Sequence, residues 1–296
     1  MEIRQSDLAA YGRCAQQKKL YGDAEQGLAP RPANLSRTVY GTVMHHALHV
    51  MERMHAAGDP AALQTASATF AHYWMPENLP DLAAEHPELV HGIDEWLPRD
   101  TYGGLRQRGL KALNDYHEQL LVDDGVLLAL EVHFRVPIDL DEVGQHYLVG
   151  TADRLAIRKY LRKPYLSVED FKTGKAPTYL RYNAQFTAYS WATTQREFWE
   201  PWEEQADERW QAYSGWARRG RWIDMRENKV KDAGWRGEVD YARLKVALKE
   251  YVKANEANSF PLTMTGETCL YCPFKKGTCG GVAVPDEEYG KPGAKA

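Results

Sequence analysis

Two aspartates stand where strands would be expected to carry apolar side chains. In a strand over 145–157, alternation places Tyr147, Val149, Thr151, Asp153, Leu155 and Ile157 on one face, so Asp153 sits in an apolar row. In a following strand over 165–172, Leu166, Val168, Asp170 and Lys172 share one face, while Ser167, Glu169 and Phe171 take the other. A carboxylate on a core-facing row loses hydration at a cost of several kcal/mol unless it is paired or holds a metal. The pattern admits a buried Asp–Lys ion pair or a metal site. Parity selects Asp170 over Glu169, because only Asp170 shares a face with Lys172.

The cysteines form a second chemical group. Cys14 stands alone near the start, while Cys269, Cys272 and Cys279 crowd the last quarter. A C-x2-C step suits thiolates sharing one metal better than a disulfide framework, and four thiolates complete either a tetrahedral zinc site or a [4Fe-4S] cluster. Spacing does not separate the two. Either would staple the beginning of the chain to its end.

A third feature combines aromatics with cations. Trp199, Trp202, Trp210, Trp216, Trp222 and Trp235 share a region with Arg218, Arg219, Arg221, Lys229 and Lys231. This composition fits the core of a hairpin or a surface that stacks and neutralises single-stranded nucleic acid. The turn expected at Arg218-Arg219-Gly220 would expose its arginines.

The elements that must position these groups follow from periodicity. Ser6 can cap a short helix through Tyr11, and Val39, Val43, Ala47, Val50 and Met54 give a helix over 36–57 that carries His45. Gly41, one turn before His45, leaves room for close approach. The stretch 60–124 reads as further helix without chemistry. Strands follow over 126–138, 145–157 and 165–172, then a helix over 178–194 capped by Thr178. That helix carries Gln185 and Tyr189 on one face. A second hairpin over 210–216 and 221–230 and a helix over 241–255 complete the expected order.

Composition bounds the rest. At 296 residues, 44% hydrophobic and 26% charged, the chain is ordinary globular material. A net charge of -4 excludes a wholly basic nucleic-acid coat. No apolar run approaches a bilayer-spanning length, and the opening residues lack a signal-peptide pattern, so we expect a soluble cytoplasmic protein with no membrane partner. Gly174-Lys175-Ala176 lacks the rest of a phosphate-binding loop, and no Gly-x-Ser-x-Gly elbow occurs.

In order, Gly41-Thr42-Val43-Met44-His45, Gly150-Thr151-Ala152-Asp153-Arg154, Asp170-Phe171-Lys172-Thr173-Gly174 and Gln185-Phe186-Thr187-Ala188-Tyr189 resemble the motifs of RecB-like nucleases of the PD-(D/E)XK superfamily. The four cysteines resemble those of its iron-sulfur branch, which includes CRISPR-associated exonucleases and the nuclease domains of some helicase-nucleases. The resemblance implies an α/β fold, a central mixed sheet flanked by helices. One domain would cover 1–284, with a helical insertion at 60–124, an iron-sulfur region at 1–20 with 256–284, and a tail at 285–296. It further implies Mg2+ or Mn2+ held by His45, Asp153, Asp170 and the Phe171 carbonyl, with Lys172 and Glu131 as further catalytic groups. Cys14, Cys269, Cys272 and Cys279 would hold a [4Fe-4S] cluster. Gln185, Tyr189 and Arg154, from these motifs, would contact substrate, as would Arg218, Arg219 and Arg221 of the expected basic turn. The implied activity is exonucleolytic hydrolysis of DNA, favouring single-stranded ends in the 5′-to-3′ direction, with room for single-strand or flap cleavage, in recombination or repair. A helicase, recombinase or integrase would be a separate chain, and a homo-oligomer is compatible. Two rivals are a DNA-binding or handover subunit of a recombination or CRISPR spacer-integration complex, and a zinc- or cluster-based redox regulator.

Overall fold

The computed structural model describes residues 1–26, 35–75, 77–78, 101–174 and 180–261. Apolar alternation builds three long strands, β2 (Val126–Asp139), β3 (Gln145–Tyr160) and β4 (Lys163–Lys172). With β1 (Glu2–Arg4), β5 (Arg218–Asp224) and β6 (Lys229–Arg236) they form a mixed six-stranded sheet, ordered β1-β3-β4-β5-β6 with β2 also paired to β3.

The two edges of β3 are used differently. β2 runs antiparallel along one edge, from Val126↔Ile157 to Asp139↔Gln145. The other edge is shared: β1 pairs in parallel at Tyr147, Leu148 and Val149, and β4 pairs antiparallel from Arg154 to Tyr160. Gly150, Thr151, Ala152 and Asp153 therefore face a fork where the two neighbours part. Glycine is required at its base, since a Cβ on Gly150 would lie 2.9 Å from Phe134 Cζ and 3.3 Å from Tyr189 Cε1.

Helices cover both faces. On one, α1 (Gln5–Arg13), α6 (Ala184–Ala192), α7 (Ala206–Tyr213) and α8 (Glu238–Glu256) pack over Leu148, Leu155, Leu166 and Val168. On the other, α3 (Leu35–Ala56), α4 (Ala62–Tyr73) and α5 (Tyr102–Leu120) cover Phe171, Ile223 and Met225. The helix α2 (Ala15–Glu25) follows α1. Among the described residues, no helix is long and apolar enough to cross a membrane.

Three local expectations are corrected. The residues around Trp210 are helical in α7, and the hairpin is β5–β6. Its turn is made by Asp224, whose Oδ1 accepts from the backbone N–H groups of Arg226 and Glu227 at 3.0 and 3.1 Å. Gly220 lies within β5, where a Cβ would meet the Phe186 ring at 2.9 Å, so the glycine answers packing and not a turn. The helix carrying Gln185 starts later than expected, after a 3-10 turn at Leu180–Tyr182, with Asn183 Oδ1 accepting from Gln185 N at 2.8 Å. Gly41 is not demanded by space, since a Cβ there would meet Thr173 Oγ1 at an ordinary 3.5 Å.

Both faces of β4 are buried, so parity alone does not distinguish its carboxylates: Glu169 and Asp170 are each 0% exposed. Their partners do. Arg154 is the register partner of Glu169 and donates to Glu169 Oε2, while its Nε lies 2.8 Å from Glu52 Oε1 on α3. Glu169 Oε1 also accepts from Arg158 Nε at 2.6 Å, Arg221 Nη1 at 3.0 Å and Ser167 Oγ at 2.6 Å. Asp123 closes the group, accepting from Arg158 Nη2 at 2.8 Å. Burial pushes the Glu169 carboxyl up, but Arg154, Arg158 and Arg221 outweigh it and hold the group well below the ordinary carboxylate range.

A depressed acid stabilises the fold fully above its unfolded value, near 4.5 for Glu169, and loses that contribution as pH falls toward the folded value. Glu169→Gln leaves three arginines short of a counter-charge and should lower unfolding free energy by about 3–5 kcal/mol at pH 7. Below about pH 4.5 the gap from wild type should narrow. Urea melts at pH 7 and at acid pH check both, and a constant gap would remove Glu169 from this role.

Candidate active site

The site lies at the fork. The β3–β4 ladder ends at Arg154↔Glu169, so the next residues, Asp153 and Asp170, stand side by side where the strands separate. Both are buried. Phe171 N–H donates to Asp153 Oδ2 at 2.8 Å, so a carboxylate replaces the backbone partner that the opening strand no longer offers. From one side α3 supplies His45, whose Nε2 donates to Phe171 O at 3.0 Å and whose Nδ1 lies 3.6 Å from Asp153 Oδ2. From the other, α6 supplies Gln185, whose amide donates to Asp170 Oδ1 at 2.8 Å and Tyr189 Oη at 2.9 Å. Lys172 Nζ lies 2.6 Å from Asp170 Oδ2.

An open groove of about 540 Å³ runs over these groups. Asp153, Lys172, Gln185 and Tyr189 line one part, and Arg4, at the end of β1, lines another. The groove is the surface expression of the divergence between β1 and β4.

Electrostatics sets the carboxylates of the site apart from Glu169. Burial raises the Asp170 carboxyl, and the Asp153 charge raises it further, so that despite Lys172 it is pushed up to about 7. Burial likewise raises Asp153 against the pull of Lys172. Burial and then the Lys172 charge lower His45, which keeps its ring neutral. Lys172 is raised because Asp170 and Asp153 outweigh its desolvation.

This donor set fits a hard divalent cation. Two adjacent buried carboxylates repel one another, Asp170 Oδ2 receives no aligned hydrogen bond, and a neutral His45 donating from Nε2 turns a lone pair at Nδ1 toward Asp153. A cation relieves all three. Among the described residues no three His, Cys, Asp or Glu side chains form a cage by themselves, so the Phe171 carbonyl and water would be needed to complete the shell. Oxygen donors with one imidazole suit Mg2+ or Mn2+.

Glu131 sits on β2 with its backbone at φ 47°, a left-handed conformation that is strained for a glutamate. Its Oε2 lies 3.1 Å from His49 Nδ1, one turn along α3 from His45. Between the register pairs Leu130↔Arg154 and Val132↔Ala152 it stands opposite Asp153, and its charge acts on both Asp153 and His45.

Arg154 and Arg218 are buried among protein partners, which corrects the expectation that they face the nucleic acid, whereas Arg219 and Arg221 are ion-paired but partly exposed. Arg154 is buried and saturated by Glu52, Glu169 and Asp123. Arg218 is also buried, donating to Thr193 Oγ1 and Ser214 O at 2.7 Å. Arg219 is held by both oxygens of Asp232, at 2.9 and 2.7 Å, and Arg221 by Glu169. The buried carboxylate of Glu169 draws Arg154 and Arg221 in as counter-charges. Cys14 is buried at the end of α1, while Cys269, Cys272 and Cys279 lie outside the described residues.

Sequence reasoning missed the groove wall formed by β1 and the Glu52–Arg154–Glu169 bridge. A strand of three residues carries no readable period. The bridge had a signal: Glu169 is flanked on its own face by Ser167 and Phe171, neither of which carries a charge, so a buried carboxylate there needs a cation from elsewhere.

The chain was compared with known proteins. A search of curated proteins returned no match. A family model described as the PD-(D/E)XK nuclease superfamily matches residues 4–279, nearly the whole chain. Its fold is a curled mixed sheet flanked by helices, as found here, and its members generally use Mg2+ or Mn2+. With a forked sheet, paired carboxylates and an adjacent lysine accounted for, the chain belongs to the PD-(D/E)XK nuclease superfamily.

Proposed function

We infer that this chain is a RecB-like DNA exonuclease of the iron-sulfur branch, degrading single-stranded ends in the 5′-to-3′ direction during recombination or repair. One observation carries the catalytic part: His45, Asp153, Asp170 and Lys172, drawn from α3, β3 and β4, meet at the open end of one ladder beside a groove. A divalent cation bound there would polarise the scissile phosphate and acidify an attacking water. The protein's own groups do the positioning. Asp153 and Asp170 supply oxygen ligands, with Asp153 oriented by Phe171 N–H and Asp170 by the Gln185 amide. Tyr189 Oη fixes the Gln185 amide. Lys172, on the groove, carries positive charge to a phosphate oxygen as negative charge builds up.

The cluster reading takes in Cys14 and the three later cysteines. Tyr11 of α1 packs edge-on against Tyr251 of α8 at 5.4 Å between centroids, which sets Cys14 on elements joined to the helix that precedes the other three cysteines. A [4Fe-4S] cluster would make that attachment covalent. A helicase, recombinase or integrase in another chain would supply the DNA end.

End-labelled single-stranded and duplex DNA, incubated with Mg2+, Mn2+ or EDTA, tests the catalytic assignment. Wild type should digest the single strand only with metal, and Lys172→Ala should be slower by roughly 100-fold or more. DNA binding without cleavage under any metal would contradict it and favour a scaffolding subunit. For the cluster, purified wild type should be brown, and Cys14→Ala should bleach it and lower Tm. An unchanged visible spectrum would remove Cys14 from the site.

A further inference from the structure

The tip of the β3–β4 hairpin is built against its own backbone preference. Tyr160 pairs with Lys163, and the two residues between them, Leu161 and Arg162, both take positive φ, 49° and 66°. This is the sign pattern of a type I′ turn, which favours Asn-Gly and strains a leucine followed by an arginine. Packing does not explain the choice. Leu161 is 81% exposed, Tyr160 is 50% exposed, and Lys159, Arg162 and Lys163 are exposed as well. Those three cations form no ion pair with a described residue.

Aromatic rings stand directly behind the tip. Tyr160 meets Trp235 at 5.6 Å between centroids, and Trp235 meets Tyr165 at 5.1 Å, both edge-on. Trp235 is open alongside Tyr160, at 36% exposed, and the Arg219 guanidinium lies 5.0 Å from its ring centre. A pocket of about 300 Å³ adjoins the cluster, lined by Lys159, Tyr165 and Arg221 among others. Asp124 and Asp232 also line it, and Asp232 is engaged by Arg219.

We propose that this hairpin tip, with Tyr160, Leu161, Trp235, Lys159, Arg162 and Lys163, is a second binding surface for single-stranded nucleic acid, remote from the cleavage site. The proposal rests on the single-strand specificity inferred above. Lysine and arginine take phosphates, the rings stack on bases, and Leu161 inserts beside a base. Lys163 is seven residues from Asp170 along β4, about 23 Å at the rise of an extended strand. A short strand in the groove does not reach the tip, whereas the far part of a long one does. The surface therefore raises affinity for long strands and leaves the chemistry of the cut unchanged.

Fluorescence anisotropy in EDTA, with a labelled 20-nucleotide strand and a tetranucleotide, tests this on the full chain. Tyr160→Ala should weaken the long strand by roughly tenfold. Leu161→Asn combined with Arg162→Gly gives the turn the residues its backbone favours, so Tm should hold or rise while long-strand affinity falls. The slope of log affinity against log salt should drop by about one. Tetranucleotide affinity should stay as in wild type. If the variants bind the long strand as wild type does, the surface is refuted, whatever the nuclease assay shows. If the variants lose long-strand affinity but wild type cuts nothing, the surface stands and the nuclease assignment alone falls.

Discussion

The structure depends on one buried ion cluster, in which Glu169 of β4 is clasped by Arg154 and Arg158 of β3 and Arg221 of β5, while Arg154 reaches on to Glu52 of α3. These charges are out of water, where attraction is strong and an unpaired member is costly. The cluster fixes the last rung of the β3–β4 ladder and the distance of α3 from it. Asp153 precedes Arg154, Asp170 follows Glu169, and His45 lies two turns before Glu52. Each candidate side-chain ligand is thus one residue or two turns from a clasped charge.

The two neighbouring carboxylates of β4 show how environment separates roles. Glu169 has several donors and is held ionised, whereas Asp170 faces another carboxylate with a lysine and an amide as its partners, and is pushed up to about 7. A fully satisfied buried group does structural work. An incompletely satisfied one next to a like charge stores an electrostatic deficit that a cation removes. Burial was common to both, so the number and sign of partners decided.

The long strands and α3 were legible because alternation and helical period survive in them, whereas His45, Gln185 and Tyr189 stood out through their motifs and only Asp153, Asp170 and Lys172 through strand parity. The tertiary use of arginine was not legible. Arg218, Arg219 and Arg221 look in sequence like free cations near aromatics and Arg154 like a motif cation, but each is bound to a carboxylate, hydroxyl or carbonyl of another element. Most of the tryptophans in that region went the same way: Trp199 is fully buried, and Trp210 donates to Thr194 O at 3.0 Å, while Trp235 remains partly open. The hairpin near residue 220 was misplaced because glycine between arginines reads as a turn, although here it makes space for Phe186. β1 was invisible at three residues, yet it defines the fork by parting from β4.

At the fork where β1 and β4 part along β3, the proposed occupant of Asp153 and Asp170 is a divalent cation. Titration of the wild-type chain with Mn2+, followed by electron paramagnetic resonance of the free ion, reads it without reference to cleavage. Wild type should bind Mn2+ with an affinity that rises with pH through about 7, where Asp170 gives up its proton, and both Asp153→Asn and Asp170→Asn should weaken that binding. Equal Mn2+ affinity in all three proteins would contradict the account.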